Sequence, residues 1–161
     1  MTHVQAQPRK AYAAAASLEV FHTGGPVMLS PDGTLVATAC VEAVNLVEVA
    51  TGKVVHCLEG DTEPITALAW SKDGALVFSA SRSMRCTVWD THTGRSVRTF
   101  KAHSTPVLHM SVDQTGTLLV TTSADRTARV WDVAKGFCTH AFRGHAAMVT
   151  VATFHPDPRR F

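Results

Sequence analysis

Apolar and polar positions along this chain recur with a fixed period. Short runs of β-branched and apolar residues alternate with turns rich in Gly, Asp and Pro, and no stretch keeps the 3.6-residue period of a helix. Trp89-Asp90 returns 42 residues later as Trp131-Asp132, and Phe100 returns as Phe142 with the same shift. Self-similarity of this length indicates a repeat architecture built from strands.

One full period predicts four short strands. They are expected at Val107 to Val112, Leu118 to Ser123, Ala128 to Trp131 and Cys138 to Phe142. Four strands in about 42 residues are typical of one blade of a β-propeller. The chain then divides into an N-terminal arm at 1–17 and blade units at about 18–58, 59–100, 101–142 and 143–161, of which the last is truncated after its first strand.

Composition narrows the class of protein. Hydrophobic residues make up 45% of the chain and charged residues 17%, which excludes a disordered polyelectrolyte. The net charge is +2 and the basic residues form no run of five or more, so there is no strong electrostatic case for nucleic-acid or membrane binding. No apolar run approaches the roughly 18 residues that a membrane-spanning helix needs.

Neither a metal nor a cofactor is expected. The four cysteines contain no CxxC pair, which argues against a thiolate zinc site or a disulfide framework and favours a reducing compartment. The best metal cluster would combine Cys138, His140 and His145. The first two share a strand face but His145 belongs to a loop, and nothing completes the site. No Gly-rich phosphate loop occurs either.

The repeated strings resemble a known family. VWD at 88–90 and 130–132 is followed, 13 residues after each Asp, by a histidine in AH at 102–103 and GH at 144–145. This pattern is similar to the WD repeat of β-propellers. The resemblance implies an all-β fold, an incomplete propeller of about three and a half to four blades of four-stranded antiparallel sheet. Seven blades would need roughly 290 residues, so we expect the chain to be part of a longer protein.

The resemblance also implies a buried chain of hydrogen bonds between polar side chains of one blade. Its members are expected to be His103, Ser123, Asp125 and Trp131. These residue types also occur in Ser-His-Asp catalysis, but a relay serine without a pocket or oxyanion donors is structural, so no enzyme is expected. The preceding unit departs from the pattern, with Asp61 at the histidine position and Ser83 at the aspartate position.

Four further strings are similar to one branch of the family, the transducin-β-like tandem WD-repeat proteins. They are VNLVEVATG at 44–52, SASR at 79–82, THAFRG at 139–144 and FHPDP at 154–158. The resemblance implies a nuclear, nucleolar scaffold of the UtpB subcomplex of the small-subunit processome, acting in ribosome biogenesis and pre-rRNA processing. Its partners would be other WD-repeat subunits, with weak or indirect contact to pre-rRNA and small nucleolar RNA, and no small-molecule substrate.

An alternative role remains open, that of a WD-repeat adaptor in another complex, such as a ubiquitin-ligase receptor or a G-protein-β-like signalling scaffold. Under either role, the turns and loops of the blades are the candidate docking positions. They are Glu63, Arg82, Met84, Arg85, Thr105 and Arg126. Arginine and methionine are enriched at interfaces, although any one of these residues could equally be an ordinary solvated turn residue.

Overall fold

Twelve short strands build residues 22–155, the part of the chain that the computed structural model describes. They are β1 (Val27–Leu29), β2 (Leu35–Cys40), β3 (Ala43–Glu48), β4 (Val54–Leu58), β5 (Ile65–Trp70), β6 (Leu76–Ser81), β7 (Arg85–Asp90), β8 (Ser96–Lys101), β9 (Val107–Val112), β10 (Leu118–Ser123), β11 (Ala128–Asp132) and β12 (Cys138–Phe142). The predicted arm at 1–17 lies outside the described residues. Within 22–155 no helix is long and apolar enough to cross a membrane.

The strands form three antiparallel sheets in which each strand pairs with its neighbour along the chain. We call β1–β4 the first blade, β5–β8 the second and β9–β12 the third. The all-β expectation and the four-stranded blade are confirmed. In the third blade the observed strands match the predicted ones, except that β11 runs one residue further, to Asp132.

The core lies between the blades. Because side chains alternate across a strand, each sheet presents one face to each neighbouring sheet. Phe78 and Val88 of the second blade are buried against Leu119 and Trp131 of the third. On its other face the second blade packs Trp70, Val77 and Trp89 against the first blade, whose share of that cluster includes Ala37, Val44 and Leu46. The second blade is thus buried on both faces, which explains why β6 is nearly continuously apolar or small.

The first strand expected in the last repeat unit is absent from the described residues. Residues 143–155 form no strand, and the bond from Val149 N–H to the Ser123 carbonyl, 3.3 Å, ties this segment to the third blade. A strand needs a hydrogen-bonded neighbour, and the repeat places the second strand of this unit beyond residue 155. The expectation of a strand here is therefore corrected.

Candidate interaction face

The candidate docking residues lie at one edge of the blades. In an antiparallel meander the turn after the second strand lies beside the connection that enters the first strand. We call this edge the loop face. It comprises turns 41–42, 82–84 and 124–127 and connections 59–64 and 102–106.

The turn at 82–84 is fixed on both sides. The N–H of Arg82 donates to the Pro64 carbonyl at 2.9 Å, and the N–H of Ala102 donates to the Met84 carbonyl at 2.9 Å. The turn is therefore bonded to both flanking connections, and its side chains are displayed from a backbone that is already ordered. Such preorganisation lowers the entropy lost when a partner binds.

Each of these turns contains a left-handed residue that is not glycine. The φ angles are 54° at Val41, 66° at Met84 and 64° at Arg126. A left-handed residue closes a short hairpin turn by forming a bulge, and glycine is the residue that normally fills it. The side chains at these positions add chemistry to the loop face that glycine would not supply.

The six predicted docking residues differ in exposure. Arg82, Arg85, Arg126 and Glu63 are exposed, and Met84 is half-buried. Thr105 is also half-buried, and its hydroxyl is hydrogen-bonded to Ser123 Oγ at 2.7 Å. The hydroxyl of Thr105 therefore has a partner inside the protein, which makes this residue the weakest docking candidate of the six.

Beneath the loop face of the third blade lies a chain of polar side chains. His103 Nδ1 is 2.9 Å from an Asp125 carboxylate oxygen, and His103 Nε2 is 2.8 Å from Thr121 Oγ1. The indole N–H of Trp131 donates to the same hydroxyl at 2.9 Å. A carboxylate only accepts, so Nδ1 carries the imidazole proton and Thr121 donates to Nε2.

The relay hydroxyl therefore belongs to Thr121, which corrects the expectation of Ser123. The Ser123 hydroxyl instead has two main-chain carbonyls within hydrogen-bonding distance, those of Thr105 at 3.0 Å and Pro106 at 2.9 Å, which share its one proton. The structure joins the side chains of His103, Asp125 and Trp131 through Thr121, whereas Ser123 contacts main-chain groups, including the Asp125 N–H at 3.4 Å. Because both ring nitrogens of His103 are bonded to other side chains, this arrangement pairs no serine with the imidazole as a nucleophile.

The protonation states of these hydrogen-bonded side chains follow from burial and hydrogen bonding. Burial lowers the pKa of His103, although Asp125 acts in the opposite direction. Desolvation acts to raise the pKa of Asp125, but hydrogen bonds from Thr127 and His103 outweigh it and hold that pKa well below the usual range. A neutral imidazole beside an ionised carboxylate results, and its geometry holds the connection at 102–106 against the turn at 124–127.

In the second blade the equivalent hydrogen bonds form two separate groups. The indole N–H of Trp89 donates to Ser79 Oγ at 2.8 Å, as Trp131 does to Thr121. Asp61 is separate from that pair and accepts from the hydroxyls of Ser81 and Ser83, the latter at 3.0 Å. Polar side chains therefore still tie the connection at 59–64 to the turn at 82–84, but without a histidine link to the indole.

A cavity of about 440 Å³ lies on the face of the third blade that is turned away from the second blade. It is lined mainly by apolar side chains of that blade, with Ala152 and Phe154 from the following segment. Val120 and Val130 lie on this face, opposite to Leu119 and Trp131 in the core. In the part of the chain that the structure describes, no three His, Cys, Asp or Glu side chains are grouped to hold a metal ion.

Comparison with known proteins gives matches to part of the chain. Residues 52–90 and 94–132 each match the family model described as WD domain, G-beta repeat. Transducin beta-like protein 3 from Bos taurus and from Homo sapiens is 40% identical over 79 residues, which is 48% of this chain and 10% of either relative. The COMPASS component SWD3 of Saccharomyces cerevisiae is 33% identical over 63 residues, 38% of this chain and 20% of that relative.

Proposed function

Because the chain is a WD-repeat protein similar to transducin beta-like protein 3, we propose that it is a non-catalytic protein-interaction scaffold in the small-subunit processome. In that role it acts in the nucleolus, in ribosome biogenesis and pre-rRNA processing, beside other WD-repeat subunits. The identity of 40% over 79 residues supports this assignment. The four strings that resemble the transducin-β-like branch support it as well.

The observation that best supports an interaction role is that main-chain hydrogen bonds hold the turn at 82–84 on both sides. Arg82 and Met84 project from a turn that is bonded to both flanking connections at 2.9 Å. A docking surface that is ordered before its partner arrives loses less entropy on binding. Arg85 begins the next strand and Arg126 occupies the equivalent turn of the third blade, so the same edge offers several anchors.

Contact with pre-rRNA or small nucleolar RNA is weak or indirect in this proposal. The net charge of +2 gives little long-range attraction for a phosphate chain. Any direct contact would use few cations and would weaken steeply as salt is raised. Binding to protein subunits is therefore the principal activity that we assign to the loop face.

The match to a COMPASS component favours a second candidate, a WD-repeat adaptor in a different multi-subunit complex. A ubiquitin-ligase receptor or a G-protein-β-like signalling scaffold would belong to the same class. The loop face of this chain could serve any of these roles, so they are distinguished by the proteins that copurify with the chain.

The test expresses the tagged chain in cells of the organism that encodes it. Imaging with a nucleolar marker gives its location, and affinity purification identifies the proteins that bind to it. Enrichment in the nucleolus together with other processome subunits is expected. The double variant Arg82→Glu and Arg126→Glu should lose those partners, whereas Lys72→Glu with Arg95→Glu, at the opposite edge, should keep them. A protein outside the nucleolus that copurifies with chromatin, ligase or signalling subunits would establish the second candidate instead.

A further inference from the structure

Two like charges face each other at the edge of the second blade. Arg85 begins β7 and Lys101 ends β8, and the two residues are direct cross-strand partners. Both side chains are exposed. Like charges placed directly opposite in an antiparallel pair destabilise the sheet. The fold keeps this repulsive pair at the loop face, close to Arg82 in the adjoining turn.

These cations lack acidic partners within residues 22–155. The ion pairs in that part of the chain are His103 with Asp125 and Arg129 with Asp125, and neither involves Arg85 or Lys101. The carboxylate of Asp125 already accepts hydrogen bonds from His103 and Thr127. Within residues 22–155, therefore, no acidic side chain forms an ion pair with the cations at this edge.

The group of cations extends to the third blade. The Ala102 carbonyl accepts from Arg129 Nη1 at 3.0 Å, while the Ala102 N–H donates to Met84. These bonds hold the turn at 82–84, the connection at 102–106 and β11 together, which places Arg126 on the same edge. We call Arg82, Arg85, Lys101 and Arg126 the cationic strip. The half-buried Met84 lies between Arg82 and Arg85 and adds an apolar side chain to the strip.

The neighbouring part of the loop face has the opposite charge. Turn 41–42 and connection 59–64 contain Glu42, Glu59, Asp61 and Glu63 and no lysine or arginine. Glu42, Glu59 and Asp61 line a cavity of about 410 Å³, together with Cys40 and Val41. A face divided in this way suits a protein partner with a localised acidic segment, because the acidic half would repel a continuous phosphate chain.

Side-chain chemistry also argues against a nucleic acid. Connections 59–64 and 102–106 and turns 82–84 and 124–127 contain no Phe, Tyr or Trp. Single-stranded RNA is held largely by stacking of its bases on aromatic side chains. The loop face therefore offers charge without a stacking platform.

We propose that the cationic strip docks an acidic peptide segment, rich in Asp and Glu, of a partner protein. This proposal rests on the scaffold role and names the chemistry of the partner at one surface. Carboxylates of the segment would lie between Arg85 and Lys101 and relieve their mutual repulsion, and Arg82 and Arg126 would extend the contact to either side.

The experiment titrates the full chain into a fluorescein-labelled peptide of alternating Glu and Asp and follows fluorescence anisotropy. The comparison probes are a peptide of equal length in Gln and Asn and a single-stranded RNA of similar length. The acidic peptide is expected to bind at least about tenfold more tightly than either probe, and its affinity should fall with added salt. Equal binding of the neutral peptide, or tighter binding of the RNA, would overturn the proposal.

Charge reversal locates the site. Arg85→Glu with Lys101→Glu should weaken acidic-peptide binding by about tenfold or more, whereas Lys72→Glu with Arg95→Glu, which changes the net charge equally at the opposite edge, should leave it within about twofold. Similar losses in both double variants would mean that net charge alone drives binding and would refute the strip.

A single substitution separates docking from folding. Arg85→Glu places an acid opposite Lys101, so it should raise the thermal midpoint while it weakens peptide binding. If Arg85 only affected folding, its substitution would not raise the thermal midpoint and weaken peptide binding at the same time. If the peptide fails to bind while processome subunits still copurify, the strip is refuted and the scaffold role stands. If the peptide binds but the chain lies outside the nucleolus, the strip stands and the processome role is refuted.

Discussion

The indole N–H of Trp131 donates to the hydroxyl of Thr121 at 2.9 Å, inside the sheet of the third blade. The same relationship occurs 42 residues earlier, where Trp89 donates to Ser79 at 2.8 Å. The bond between tryptophan and hydroxyl is thus common to both blades, while of the two only the third adds the histidine link. A buried indole N–H needs such an acceptor because water does not reach it.

Thr121→Val should therefore lower the free energy of unfolding by about 1–3 kcal/mol. The valine fills the same volume but leaves Trp131 Nε1 and His103 Nε2 without their partner. The adjacent Thr122 provides a matched control, since its buried hydroxyl has no hydrogen-bond partner among the described residues. Thr122→Val should be neutral or stabilising. Urea denaturation of both variants measures the difference, and equal effects would contradict the relay through Thr121.

The choice between Thr121 and Ser123 could not be made from sequence. The two residues are two positions apart on β10, so both side chains point to the same face of the sheet. Alternation cannot separate them. What decides is a translation of roughly 6.8 Å along the strand, which brings Thr121 level with the indole and leaves Ser123 beside the connection at 102–106. Which of the two residues lies level with the indole depends on the register between β10 and β11, in which Leu119 pairs with Trp131 and Thr121 with Arg129.

The strands of the third blade could be predicted because apolar alternation and turn residues agree at every boundary. The segment after residue 142 shows the limit of that reasoning. It has the apolar pattern of a first strand, yet its described residues form none, because strand formation depends on a partner strand as well as on local pattern. Likewise, the repeat identifies Asp61 as a replacement for histidine, but its bonds to Ser81 and Ser83 depend on side-chain reach.

Asp125→Ala should destabilise the chain more than Ser83→Ala, by about 1–3 kcal/mol. Asp125 accepts from His103, from the Thr127 N–H at 3.0 Å and from the Thr127 hydroxyl at 2.6 Å, so its removal orphans several donors. Loss of Ser83 leaves Asp61 still bonded to Ser81. Thermal and urea unfolding of the two variants should rank them in this order. Identical losses would mean that the two turns are equally dependent on their polar contacts.

Stability should fall as the solution is acidified through the ordinary titration range of histidine. Burial lowers the pKa of His103, so below about pH 6.5 the unfolded chain takes up a proton that the folded chain does not. The contribution of this group is present in full above that pH and is lost as the pH falls toward the lowered pKa. Asp125, whose pKa is also lowered, adds a second loss below about pH 4.

The measurement compares thermal midpoints of the unchanged chain and His103→Asn between about pH 7.5 and 5.5. Their difference should shrink toward the lower pH, because the variant lacks the titrating imidazole. Val107→Ala, which removes buried volume without removing a titrating group, should differ from the unchanged chain by a constant amount. A constant difference for His103→Asn as well would refute the assignment.

Val41→Gly should stabilise the first blade. Val41 has φ 54°, a conformation that costs a side chain with a branched β-carbon about 1–2 kcal/mol and costs glycine almost nothing. The bonds that hold this turn use main-chain atoms of Val41: its N–H donates to Thr23 Oγ1 at 3.1 Å and its carbonyl accepts from Ile65 at 3.0 Å. Both survive the substitution, and the side chain is 53% exposed, so little burial is lost.

Val55 offers a matched control for that gain. It is 49% exposed, but it lies within the regular strand β4, where valine is favoured and glycine is not. Val55→Gly should therefore destabilise by about 1 kcal/mol, while Val41→Gly raises the free energy of unfolding by about the same amount. Because the two substitutions remove the same side chain at similar exposure, opposite signs would isolate the left-handed backbone as the cause. A loss at both positions would show that the Val41 side chain stabilises the fold by more than its backbone conformation costs.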